Sequence, residues 1–248
     1  MDKMSFLSSL IMCVIVLGCS SWSREQKVVD RAIEAHGGKQ YREVQISFDF
    51  RDKHYTILKT ADRFEYTREF KDSTGLVLDV LNNKGFTRTI NGEEISLTDE
   101  WRKAYSNSVN SVAYFMFLPY GLNDPAVIKE WKGETEIDGQ AYDVLKVSFL
   151  EEGGGEDFED EFIYWFNRES GLMDYLAYSY HTDGGGVRFR KAINSRIVNG
   201  IRIQDYENYK PKDKEVPLDA MEELFKHNAL ELLSEIINEN VQVKFQDQ

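Results

Sequence analysis

The chain is short of cysteine. Of its 248 residues only Cys13 and Cys19 are cysteines, so beyond residue 19 neither a disulfide nor a thiol nucleophile is available. Positive charge is also in deficit: 30 Lys and Arg stand against 43 Asp and Glu, for a net charge of −13. That balance argues against nucleic acid as a partner, because phosphate binding needs clustered Lys and Arg. Catalytic signatures are missing as well. No G-x-S-x-G or H-E-x-x-H occurs, and His36, His54, His181 and His227 lack metal-ligand spacing. No cofactor is expected. Strands do not alternate with helices as βαβ units, which argues against a Rossmann fold or a TIM barrel. No Ser/Pro-rich linker divides the chain, so one domain is expected.

Hydrophobic residues make up 42% and aromatics 13% of the chain, enough for a packed core. The longest apolar run, in SFLSSLIMCVIVLGC, has roughly a dozen residues, against about 20 for a membrane-spanning helix. Its length suits the h-region of a secretory signal. Val16-Leu17-Gly18-Cys19 resembles the lipobox of bacterial lipoproteins, although Leu17 is bulkier than usual and Lys3 is offset by Asp2. The resemblance implies cleavage before Cys19 and a diacylglyceryl group on its sulfur. Residues 1–18 would then be a signal peptide and 19–248 the single mature domain. Ser20 resembles the sorting pattern of outer-membrane lipoproteins, which implies a lipid-anchored protein of the cell envelope facing the periplasm.

After that leader, Ser23 caps a predicted helix whose stripe is Val28, Val29, Ala32 and Ile33, ended by Gly37 or Gly38. His36 at its C-terminus is expected to cap or to face solvent. The period then becomes two, in VQISFDF, HYTILKT, RFEYTREF, GLVLDVLN and GFTRTI. Asn91-Gly92, Asp138-Gly139 and Asn199-Gly200 mark hairpin turns. Trp101, Tyr105, Val109, Val112 and Met116 recur at helical spacing, predicting a largely buried second helix that Pro119 and Gly121 close. Further antiparallel strands follow, then a predicted helix over 218–236 and a last strand, VQVKF.

Two glycine triplets, 153–155 and 184–186, are flanked by strand patterns rather than by a strand and a helix. They therefore read as hairpin ends, not as phosphate cradles. Pairing Phe166 with Met173 puts Phe158, Asp160, Phe162, Tyr164, Phe166, Tyr175, Ala177, Ser179, His181, Val187 and Phe189 on one face. That face is aromatic, with Asp160, Ser179 and His181 at its rim as either a satisfied buried network or the polar end of a ligand pocket. Glu159, Glu161, Tyr178, Tyr180, Arg188 and Arg190 fall on the opposite, solvated face. A β-bulge at a glycine triplet would invert this parity.

GETEIDGQAYDVLKV, YWFNRESGL and IVNGIRI are similar to hairpins of LolA/LolB-like lipoprotein-localisation folds. Longer strings, among them AIEAHGG, FLPYGLNDPA, GGGEDFED and YSYHTDGGG, resemble an uncharacterised family of Gram-negative lipoproteins. The resemblance implies an α+β, mainly antiparallel β architecture: a strongly curved incomplete barrel with helices covering its concave face. It also implies a lipid or other hydrophobic ligand in the cavity. The sequence names no protein partner. The candidate ligand residues are Phe158, Asp160, Phe162, Tyr164, Phe166, Tyr175, His181 and Phe189, with the 105–117 helix as plug or lid. Two alternatives stay open: a structural lipoprotein with a self-filled core, and a hydrolase built on Asp160 and His181.

Overall fold

Ser23 opens α1 (Arg24–His36), its hydroxyl oxygen accepting from the Gln26 amide at 3.3 Å, and Gly37 at φ 142° ends it. The computed structural model describes residues 22–152, 158–181, 184–213 and 215–245. The expected stripe of α1 is buried, but so is His36. Its ring lies inside rather than in solvent, with Nδ1 donating to the Ala32 carbonyl at 2.8 Å.

The strands form two seven-stranded antiparallel sheets. The first contains β1 (Val44–Phe50), β2 (Lys53–Lys59), β3 (Phe64–Asp72), β4 (Gly75–Asn82), β5 (Gly85–Ile90) and the two-residue β6 (Glu93–Glu94). The second contains β7 (Val127–Ile137), β8 (Gln140–Phe149), β9 (Glu161–Asn167), β10 (Met173–Tyr180), β11 (Gly186–Val198), β12 (Ile201–Pro211) and β13 (Leu230–Ile236). The final strand, β14 (Asn238–Phe245), crosses back to pair with β1. At this crossing the Asn238 amide donates to Asp205 at 2.9 Å and its side chain donates to the Gln204 carbonyl at 3.0 Å. The sheets are joined there, and neither is closed: β6 and β7 are end strands. The three Asx-Gly pairs turn as expected, each with both residues at positive φ, the primed-turn geometry that matches strand twist. The second glycine triplet lies at the β10–β11 hairpin. The first triplet lies outside the described residues, as does Cys19.

Between the sheets runs α2 (Asp99–Met116), capped by Thr98. Against the first sheet, buried Asp79 accepts from Arg68 and Arg88 at 2.7 and 2.6 Å, and Arg68 also donates to Ser108 of α2 at 2.7 Å. Against the second sheet, Tyr114 and Phe115 pack on Phe162 and Tyr178. The expectation of a largely buried helix is corrected. Within α2 only Val109 and Ala113 are buried, and Trp101 is 53% exposed. One flank borders a cavity and the first turn meets solvent.

The helix expected over 218–236 is also corrected. A 3-10 turn over Leu218–Ala220 and the short α3 (Met221–Lys226) give way to β13. Asn228, at φ 55°, breaks the helix, and LELLSEI pairs with β12. An added ladder outweighs the helix propensity of leucine and glutamate.

The most consequential difference is one residue wide. Met173 pairs with Phe166 as expected, but Tyr175 pairs with Trp165, so Asp174 is an extra residue in β10. Every later side chain of β10 is thereby inverted. Phe162 and Tyr164 stand opposite Tyr178 and Leu176, not Ala177 and Tyr175. Tyr175 and Phe189 pack instead with Trp165 on the other face, under Leu218, Met221 and Phe225. The bulge lies at Asp174, not at a glycine triplet.

Candidate functional site

Three strips of chain converge on a cavity of about 700 Å³. From α2 come Asn107, Ser111, Tyr114 and Phe115; from the first sheet, Phe48 and Phe50; from the second, Phe149, Phe162, Tyr178 and Ile203. Its aromatic wall is continuous. Phe162 lies 5.5 Å from Tyr178 and 5.8 Å from Phe149 between ring centroids, and Phe115 lies 5.3 Å from Tyr178.

Among the expected ligand residues, Phe162 and Asp160 line this cavity. Tyr164 and Phe166 share the Phe162 face but lie deeper, with no exposed surface, packed in the cluster that contains the α1 stripe. The Tyr164 hydroxyl lies 2.6 Å from that of Tyr114, and burial holds both phenols above their ordinary pKa. Tyr175 and Phe189 are behind the sheet. Phe158 is half-buried in the turn before β9 and does not reach the lining. Asp160 and His181 do meet, with Nδ1 at 3.5 Å from the carboxylate, but the imidazole is 65% exposed. Among the described residues no hydrogen bond orients its second ring nitrogen, and Ser179 is carried to the opposite face by the inversion of β10.

Four of the six side chains that sequence reasoning assigned to solvent are at the cavity. Tyr178, Tyr180, Arg188 and Arg190 all line it, because the bulge turned β10 and the paired part of β11 over together. Arg202, Gln204 and buried His36 add a second polar group on another part of the wall. Burial lowers His36 to about 4, so the ring stays neutral. A signal existed in the sequence. Phe162-Ile163-Tyr164-Trp165-Phe166 is apolar without alternation, the mark of a strand covered on both faces. A solvated outer face was therefore inconsistent with β9 itself.

The fold has low-identity likenesses among solved structures. A LolA superfamily protein from Nitrosomonas europaea is 11% identical, with a TM-score of 0.48 over 90% of this chain and 94% of that one. A putative outer membrane lipoprotein-sorting protein domain from Vibrio parahaemolyticus is 9% identical, with a TM-score of 0.43 over 89% and 91%. The lipoprotein LppX of Mycobacterium tuberculosis is 11% identical, with a TM-score of 0.27 over 64% and 88%. Among curated proteins, none matches the chain in sequence. The model of a family of unknown function, DUF6503, matches residues 3–238, and the chain belongs to that family.

Proposed function

We propose that this is a lipid-anchored binding protein of the cell envelope that holds a lipid or other hydrophobic ligand between α2 and the sheets. The observation that carries this is the aromatic cavity. Its volume of about 700 Å³ falls within the range of small-molecule sites, roughly 300–1,000 Å³. A core filled by its own helix would leave no such space. In this reading the sheets form an incomplete barrel, α1 and α2 cover its concave side, and α2 is the lid. Lid movement is consistent with how lightly α2 is buried. Anchoring through Cys19 and residence at the outer membrane follow from the lipobox and Ser20. The test is native mass spectrometry of the full chain, with organic extraction of whatever copurifies, compared with Phe162→Asp. A bound lipid mass that the variant loses while still being exported supports the function. A mass retained by Phe162→Asp, or no bound mass in the presence of envelope lipids, refutes it.

A further inference from the structure

Among the described residues, the lining of the cavity has a charge that the chain as a whole does not. Acids outnumber Lys and Arg by 43 to 30 in the sequence. Yet Arg51, Arg188, Arg190 and Arg202 reach the lining, where Asp160 is the single carboxylate among the described residues. The other two buried guanidiniums are neutralised: Arg68 and Arg88 share Asp79. Arg190 is different. It is 8% exposed, and no described carboxylate lies within ion-pair distance of it.

A buried cation without a counter-charge is costly, and its surroundings show how the cost is partly offset. The guanidinium lies 3.8 Å from the centroid of Phe115, on its face, and 5.0 Å from that of Tyr178. Such stacking stabilises the charge through the ring faces. It leaves the rim of N–H groups in the guanidinium plane for an acceptor. Nη2 donates to the Tyr178 hydroxyl at 2.9 Å, while Nε is buried with no partner. Arg188 stands two residues away on the same face of β11, about 6.6 Å along the strand, and it too reaches the lining. Phe115, which lies against Arg190, is 6.2 Å from Phe162 between ring centroids, so charge and apolar wall adjoin.

We infer that the ligand is an amphiphile with an anionic head. Its carboxylate or phosphate is held by Arg190 with Arg188 beside it, and its apolar tail lies along Phe115, Phe149 and Phe162. This rests on the apolar-ligand function proposed above and adds a head-group requirement to it. A charged acceptor matches the unsatisfied N–H edge with charge-assisted bonds; a neutral ester offers weaker ones, and an ammonium is repelled.

The test uses the full chain in isolated membranes and three photoreactive probes sharing one long alkyl tail: a fatty acid, an alkyl monophosphate and the methyl ester of the acid. Adducts are mapped by peptide mass. The wild-type chain should be labelled at the cavity by the acid or the phosphate about tenfold or more over the ester, the ratio expected for charge-assisted bonds. Which of the two anions labels better separates a free fatty acid from a phospholipid as the source. Arg190→Met, which keeps an apolar stem against Phe115, should lose that preference while retaining ester labelling; Arg190→Lys should keep part of it. Retained ester labelling shows that the Met variant is folded. Equal labelling by acid and ester in the wild type, lost in Phe162→Asp, would overturn the anionic head and leave apolar binding standing. No cavity labelling by any probe would overturn both.

Discussion

The hydroxyls of Tyr114 on α2 and Tyr164 on β9 lie 2.6 Å apart, so the helix that borders the cavity is bonded to its floor through two phenols. Tyr164 is fully buried. Tyr114→Phe should therefore destabilise the fold by about 1–3 kcal/mol, the cost of a stranded buried hydroxyl. Adding Tyr164→Phe should restore much of the loss, because removing both partners leaves nothing unsatisfied. Urea unfolding of the two single variants and the double variant measures this, and an additive double variant would mean that the pair contributes nothing.

At the other side of α2, Asp79 is the anion between two buried arginines. Asp79→Asn leaves Arg68 and Arg88 without a counter-charge and should cost about 3–5 kcal/mol. Because Arg68 also holds Ser108, hydrogen exchange in α2 should accelerate in this variant before the second sheet is affected.

Acid should weaken the fold through His36. Its folded pKa is lowered by burial from 6.5 to about 4. Above about pH 6.5 both folded and unfolded states are neutral at this ring, and stability is independent of it. Between the two values the unfolded chain binds a proton that the folded chain does not, so stability falls as pH falls. Across that window the loss amounts to about 3 kcal/mol. His36→Gln should lose less stability than the wild type on going from near neutral to about pH 4.5. Urea midpoints of the two chains measured in parallel across that range check this, and equal losses in both would mean that His36 does not carry the acid sensitivity.

Cys19→Ser should abolish acylation and move the protein from the membrane fraction to the soluble one. Fractionation after carbonate washing reads this directly. Continued membrane attachment would show that another segment anchors the chain.

Much of the architecture was legible because it is local. Strand period, Asx-Gly turns and the Ser23 cap act within a few residues, and each formed where the sequence placed it. The antiparallel meander follows from such turns, since short connections pair consecutive strands. The 218–236 segment was not legible, because LELLSEI carries strong helix formers and becomes a strand only where the β12 ladder is available.

The sequence by itself determined the two-residue alternation, the turn positions, the acidic surplus and the concentration of aromatics in β9. Only the tertiary structure decided which way those side chains face. Asp174, one residue inserted into β10, exchanges Tyr175 and Phe189 for Tyr178 and Arg190 at the cavity wall. A β-strand repeats every two residues, so a single insertion reverses every side chain beyond it. Asp174 itself accepts from the Tyr142 hydroxyl at 3.1 Å, and the two faces beyond it are covered by α2 on one side and α3 on the other.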